Sequence, residues 1–278
     1  MPLVSLTEAG NRCRAENTGL GAFNVVQLEM ATTLVDAAEA VGAPVVLQIS
    51  QNAVKYHRGR LEPLGLAALR VAADARVPVV VHLDHATDVA LVERAVELGF
   101  SSVMYDGSAL AFEENVSTTR EVAEFCHARG VSVEAELGEV GGKDGVHAPS
   151  ARTDPREAAA FVRRTGVDLL AVAVGSSHAM TERTAELDTG LIGALASALE
   201  VPLVLHGSSG VSDDGMKQAI RAGITKVNVA THLNVCFTAA VRASLDDRPE
   251  AVDPRRYLGA GYAAVGPEVE RLLSLYSG

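Results

Sequence analysis

The sequence predicts an α/β fold, a single-domain (β/α)₈ barrel, and three observations carry that prediction. Eight short apolar runs alternate with helix-periodic segments over about 230 of the 278 residues, the number of units such a barrel needs. Several runs open on Pro and are rich in Val, as strands buried on both faces should be. No low-complexity linker divides the chain, so residues 1–278 read as one domain, with a helical extension from about residue 251. A doubly wound open sheet is the alternative, favoured if two or three runs are not strands, the first and fourth being weakest.

In chain order the strands are GAFNVV (21–26), PVVLQIS (44–50), PVVVHLDHA (78–86), SSVMYDGS (101–108), SVEAELG (132–138), DLLAVAVGSSH (168–178), PLVLHGSSG (202–210) and ITKVNVAT (224–231). Between them, LEMATTLVDAAEAVG, DVALVERAVELG and DPREAAAFVRRTG have helical periodicity and end on Gly, the residue favoured just past a helix C-terminus. Asp154 is an N-cap with Pro155 in the first turn, and Asp88 is a cap before the helix that follows the third strand. GEVGGKDGVHAPSART (138–153) reads as a long loop.

Hydrophobic residues make up 48% of the chain, enough for a large core, and the net charge is −11. That balance argues against nucleic-acid binding, which leaves a basic footprint. An anionic small substrate remains compatible, because backbone N–H groups at helix N-termini hold phosphate locally. Cys13, Cys126 and Cys236 form neither a disulfide framework nor a paired zinc motif. With no signal-like apolar segment and no run near the roughly 20 residues of a membrane span, the expectation is a cytoplasmic protein.

In a (β/α)₈ barrel the active site forms at the C-terminal strand ends. Unusual polar residues recur there: Asn24, Gln48 and Ser50, Asp84 and His85, Asp106, Glu136, His178, His206, and Asn228. One such residue is usually a structural hydrogen-bonder. A whole ring of them costs burial energy unless paired or used. His85, His178 and His206 have the residue type and number for a catalytic zinc site with an open fourth position. His82 reads as core or support, and His57, His127, His147 and His232 as solvated or capping residues. Asp84 and His85 are adjacent, so an ideal strand would point them apart; both serve one site only if the strand is already ending there. GSSG (207–210) and Asn228 to Thr231 read as anion cradles after strands seven and eight.

HLDHA, AVGSSHAM, VLHGSSG and KVNVAT together resemble the class II, zinc-dependent ketose-bisphosphate aldolases. AFNV, VMYDGS, VEAELGEVGG and DPRRYL extend the similarity over essentially the whole chain. KVNVAT is closer to the tagatose-bisphosphate branch, since the fructose branch typically has an acidic residue where Ala230 stands. The resemblance implies that His85, His178 and His206 hold Zn²⁺, and that Asp106 and Glu136 take a second or displaced cation. It makes Asp84 the acid/base and Asn228 the hydrogen-bond donor to an enediolate. Glu136, when not ligating, would orient a zinc-bound His. Asn24, Ser50, residue 179, Gly207, Ser208, Ser209, Asn228, Val229, Ala230 and Thr231 would hold the substrate and its phosphate. The implied reaction is retro-aldol cleavage of a ketose bisphosphate, fructose or tagatose type, to dihydroxyacetone phosphate and an aldehyde, by a homodimer or homotetramer.

Two departures stand out. Ala179 replaces the family's usual Gly, and the 138–153 loop is short, with Lys143 and Asp144 where relatives have proton-moving Glu; Asp144 is the substitute. The same machinery on another phosphorylated ketose, as in inositol breakdown or specialised metabolism, is one rival. A catalytically silent, partner-binding homologue is another, opposed by the intact Asp84 and histidines. A Schiff-base aldolase fails on lysine supply: only Lys55, Lys143, Lys217 and Lys226 exist, none at the sixth strand's end.

Overall fold

A computed structural model describes residues 2–137, 152–178 and 180–278. Asp144 and Ala179, and with them Lys143 and His147, lie outside the described residues. The chain forms a closed barrel of eight parallel strands in sequence order, so the open-sheet alternative is excluded. Each run is a strand, including the first and fourth: β1 (Leu20–Asn24), β2 (Val45–Ser50), β3 (Val79–Ala86), β4 (Ser102–Tyr105), β5 (Ser132–Leu137), β6 (Leu169–Val172), β7 (Leu203–Leu205) and β8 (Ile224–Val229).

The helices are α1 (Leu6–Glu16), α2 (Leu28–Val41), α3 (Gln51–Tyr56), α4 (Glu62–Asp74), α5 (Val89–Leu98), α6 (Phe112–His127), α7 (Pro155–Thr165), α8 (Thr189–Ala198), α9 (Asp213–Ala222), α10 (Thr231–Asp247) and α11 (Pro254–Tyr276). Helices α2, α5 and α7 end on Gly42, Gly99 and Gly166 in the left-handed conformation. Asp88 caps α5 by accepting from Ala90 N, and Asp154 caps α7 by accepting from Arg156 N and Glu157 N. The final helix, α11, lies against α2 and α10.

Alternation along the strands divides the barrel interior into two zones. Near the N-terminal end, Leu20, Ala22, Val46, Val80, Met104, Leu169, Ala171 and Val204 make an apolar plug. Helix α1, which the strand and helix periodicities did not single out, closes that end with Leu6, Ala9 and Cys13. Burying one leucine in this way is worth about 1.5–3 kcal/mol. Further along most of the strands the same inward face turns polar: Asn24, Gln48, His82 then Asp84, Glu134 then Glu136, His206, and Asn228, whereas after β6 it stays apolar at Ala173. One end of the barrel is therefore packed for stability and the other is open for chemistry.

The predicted strands six and seven run too long. β6 stops at Val172, so His178 sits six residues beyond it in the following segment rather than at a strand end. β7 stops at Leu205, and Ser208–Gly210 form a 3₁₀ turn. Glycines and serines in both tails favour turn conformations over continuation of the ladder.

Candidate active site

Asp84 and His85 share the site although β3 does not end before them; it continues to Ala86. The pairing of β3 with β4 shifts register between Leu83 and Ala86, and His85 has φ +49. A bulge of this kind re-aims one side chain within a continuing strand. A left-handed conformation is uncommon for any residue but Gly, and such outliers concentrate at functional sites. The expectation that the strand must be ending is thus corrected: backbone irregularity, not termination, brings the neighbours to one side.

The candidate metal-ligating nitrogens of His85, His178 and His206 all lie within 4.8 Å of one another. Their rings are mutually edge-on, with centroids 4.5–5.7 Å apart. His85 and His206 are steered from behind. His85 Nδ1 lies 2.8 Å from Asp106 Oδ2, while Asp106 Oδ1 accepts from Ser108 N and Oγ. That bond fixes which ring nitrogen of His85 is left for other partners. His206 Nε2 lies 3.1 Å from Glu134 Oε1, and its carbonyl accepts from Ser176 Oγ at 2.6 Å. His206 Nδ1 faces Glu136 Oε2 at 3.2 Å without a hydrogen bond of good geometry. His85, Asp106 and Glu136 make a second grouping with metal-ligating potential.

Below these residues lies a charged layer with no solvent exposure. Lys226 Nζ donates to Glu134 Oε2 at 2.8 Å, and His82 Nε2 lies 3.7 Å from the same oxygen. Burial, reinforced by the charge of Lys226, pushes His82 down to about 3, so it is neutral and its Nδ1 pairs with Ser102 Oγ at 2.9 Å. Burial alone would raise Glu134, but Lys226 and the bond from His206 hold it well below the usual carboxylate range. For His206, burial lowers the pKa, and the carboxylates of Glu134 and Glu136 outweigh it, pushing it up to about 9. Asp84, only 2% exposed, is likewise raised by burial and lowered more strongly by His85, Lys226, His206 and His82, so it is held ionised.

This donor set fits a divalent cation. A buried imidazole nitrogen lacks a hydrogen bond, three imidazoles converge, and the four buried carboxylates Asp84, Asp106, Glu134 and Glu136 are accompanied by a single buried lysine, Lys226, paired with Glu134. Buried charge this lopsided is costly unless a cation completes it.

A cavity of about 390 Å³ opens above the triad. Asn24, Ser50, Asp84, His85, Asp106 and His178 line it on one side, and Gly207, Ser208, Ser209, Asn228, Ala230 and Thr231 on the other. Glu136 and His206 lie behind this wall, fully buried. Val229 is also buried and does not line the cavity. Gly207 has φ +68, and a Cβ there would lie 2.6 Å from the Ser177 carbonyl, so the backbone passes where a side chain would collide. Ser208 Oγ donates to the Asn228 carbonyl, joining β7 to β8. Ser209 Oγ accepts from His232 N in the first turn of α10, so the 3₁₀ turn and the helix N-terminus face one space. Asn228 Nδ2 points to Asp84 Oδ1 at 3.5 Å, and Gln48 Nε2 donates to Asn24 Oδ1 at 2.6 Å.

Several participants escape the sequence reading. Glu134 and Lys226 precede Glu136 and Asn228 by two residues, and that spacing was the available signal. Lys226 lies inside the barrel, already ion-paired, which strengthens the case against a Schiff base. Gln51, Asn52, Lys55 and Thr87 also line the cavity. His232 is more than a solvated residue, bonding Glu268 Oε1 at 2.6 Å beside the Ser209 turn.

The profile of the class II fructose-bisphosphate aldolases matches residues 4–277. The chain belongs to that family. It is 38% identical to the fructose-bisphosphate aldolase of Thermus caldophilus, covering 99% of this chain and 98% of the relative. It is 40% identical to the probable fructose-bisphosphate aldolase of Bacillus subtilis, covering 95% and 94%. The YdjI aldolase of Escherichia coli K12 superposes with a TM-score of 0.85 at 32% identity, covering 99% of this chain and 97% of that one. The class II aldolase is accordingly a carbon–carbon lyase of a metal-dependent family acting on phosphorylated sugars. Among its described residues no helix is long and apolar enough to cross a membrane.

Proposed function

We propose that the aldolase cleaves a ketose 1,6-bisphosphate, of fructose or tagatose type, reversibly to dihydroxyacetone phosphate and glyceraldehyde 3-phosphate, using Zn²⁺ held by His85, His178 and His206. The convergence of these three imidazoles on a cavity shared with the ionised Asp84 carries the reading. A divalent ion there supplies Lewis-acid stabilisation of the negative charge that develops when C3–C4 breaks.

The protein's own groups do the rest. Asp84 accepts the C4 hydroxyl proton in cleavage and returns it in condensation. The Asn228 amide donates to the oxygen on which charge develops, at a position fixed by its contact with Asp84. Backbone N–H groups of Gly207 to Ser209, with Val229 to Thr231 at the start of α10, bind the C1 phosphate. Val229 contributes only main chain, since its side chain is core. Asp106 orients His85, and Glu134 with Glu136 orients His206. Asn24, held by Gln48, and Ser50 contact the sugar hydroxyls. Asp106 and Glu136 can also take a second or displaced cation beside His85. Asp144 is proposed to move the C3 proton, and the residue 179 backbone to join the phosphate site.

The test is metal content and product analysis over a panel of ketose phosphates, before and after chelation. Activity should vanish with the chelator and return with Zn²⁺. Full activity in metal-free protein, or in Asp84→Ala, would overturn the mechanism.

A further inference from the structure

The 3₁₀ turn Ser208–Gly210 is a partition between two cavities. Ser208 and Ser209 line the large one above the triad, and they also line a second, of about 20 Å³. The other walls of that smaller space come from α9, α10 and α11, through Asp213, His232 and Leu272 among others. A turn with free volume beside it is not held by close packing alone, so its hydrogen-bonded anchors decide where it sits.

One anchor is the first turn of α10, where His232 N donates to Ser209 Oγ at 3.1 Å. A hydroxyl that accepts in this way still has its own proton to give. Among the described residues no group takes that proton from Ser209, so it is available to a ligand in the large cavity.

The His232 ring is gripped in turn. Its Nε2 lies 2.6 Å from Glu268 Oε1, and a carboxylate at that distance puts the imidazole proton on Nε2. Arg271, one turn along α11, donates to both oxygens of Glu268 at 2.8 Å. The bonds from Arg271 act most strongly on Glu268; with the bond from His232 they outweigh burial and hold its carboxyl below the usual range. Arg271 also shares Asp213 with Arg183, each donating at 2.6 Å. Arg183 belongs to the segment after His178, in which Ala185 N donates to the Gly210 carbonyl at 2.8 Å. A solvated surface pair would be worth little, but the side chains of His232 and Glu268 are only 22% and 19% exposed.

We propose that His232 and Glu268 are positioning residues for the turn after β7: the Glu268 carboxylate fixes the imidazole, and with it the α10 N–H that sets the Ser209 hydroxyl. The proposal rests on the reading of Gly207 to Ser209 as the C1-phosphate site. Neither side chain lines the large cavity, so both act through Ser209 and not on the substrate.

The test is calorimetric titration of dihydroxyacetone phosphate into zinc-loaded wild type, His232→Ala, His232→Gln and Glu268→Ala, with steady-state cleavage of fructose 1,6-bisphosphate by each. A glutamine amide nitrogen can reach the place of Nε2 and donate to Glu268. Kd and KM should rise about tenfold in both alanine variants and stay within about threefold of the wild type in His232→Gln. The value of kcat should change by less than about threefold throughout, as expected when binding is lost and the transition-state groups are kept. Unchanged Kd and KM in the alanine variants, an equal loss in His232→Gln, or a kcat that falls as far as kcat/KM overturns the positioning role. Either alanine variant decides the outcome alone where the other does not fold. Absence of binding to the wild type overturns the phosphate reading instead, and amide exchange measured by nuclear magnetic resonance then decides the positioning role separately. The His232 amide should exchange about tenfold faster in Glu268→Ala than in the wild type, with the amides of β3 unchanged. Equal rates at His232 remove the proposed link.

Discussion

Lys226 Nζ donates to Glu134 Oε2 at 2.8 Å with neither side chain exposed, and the other oxygen of Glu134 holds His206 Nε2 at 3.1 Å. The ion pair therefore lies one hydrogen bond behind a candidate metal ligand. Its geometry fixes which nitrogen of His206 turns to the site. The same arrangement explains how a lysine is tolerated in the middle of a barrel strand: its charge is neutralised at the point of burial.

Breaking that pair by removing one partner leaves the other charged and buried. Lys226→Met should cost about 3–5 kcal/mol in urea denaturation. The double variant Lys226→Met with Glu134→Gln should recover part of the loss, since no lone charge remains. A Lys226→Met protein as stable as the wild type would show that the pair does not hold this layer together.

Asp84→Asn is nearly isosteric, leaves the three imidazoles in place and removes the proton acceptor. Turnover should fall by roughly 10²–10⁴-fold while metal content, measured by atomic emission, stays near that of the wild type. His206→Ala should instead lose both together. An Asp84→Asn enzyme with wild-type kcat would remove Asp84 from the proton transfer.

Gly207→Ala places a methyl 2.6 Å from the Ser177 carbonyl at a residue with φ +68. The β7 turn must shift, and the shift displaces the proposed phosphate site. Stability should fall by more than about 1 kcal/mol, and KM for the ketose phosphate should rise by more than kcat falls. Calorimetry and steady-state kinetics on the same preparation would read both, and unchanged values in each would leave this turn without the tight contact described.

Asp213 accepts from Arg183 and Arg271, both at 2.6 Å, linking the segment after His178 to α9 and α11. Burial is the largest single influence and raises its pKa, but the hydrogen bonds and charges of the two guanidinium groups together outweigh it and hold the carboxyl below the ordinary value. The stabilisation is therefore complete above the unfolded pKa of about 3.9 and is lost as pH falls through the lower folded value. The Tm difference between metal-free wild type and Asp213→Asn should be constant from about pH 7 to 5 and narrow below about pH 4. A gap that widens on acidification would contradict the assigned ion pairs.

The strand count, the parallel barrel, the helix caps at Asp88 and Asp154 and most of the polar rim were legible in the sequence. Each depends on local chemistry: Val-rich runs after Pro, a side chain reaching its own helix's first N–H groups, and a glycine after the last helical turn. His85, His178 and His206 were legible as candidates because three imidazoles read at the ends of three different strands, the third, sixth and seventh, are hard to place otherwise.

Tertiary structure alone decided how they meet. Adjacent Asp84 and His85 face one cavity because of a register shift and a left-handed residue inside β3, which alternation does not encode. Glu134 and Lys226 are 92 positions apart, and only closure of the sheet makes them partners. Sequence periodicity determined which face of each strand turns inward; long-range pairing decided which inward groups neutralise, orient or leave one another available for chemistry.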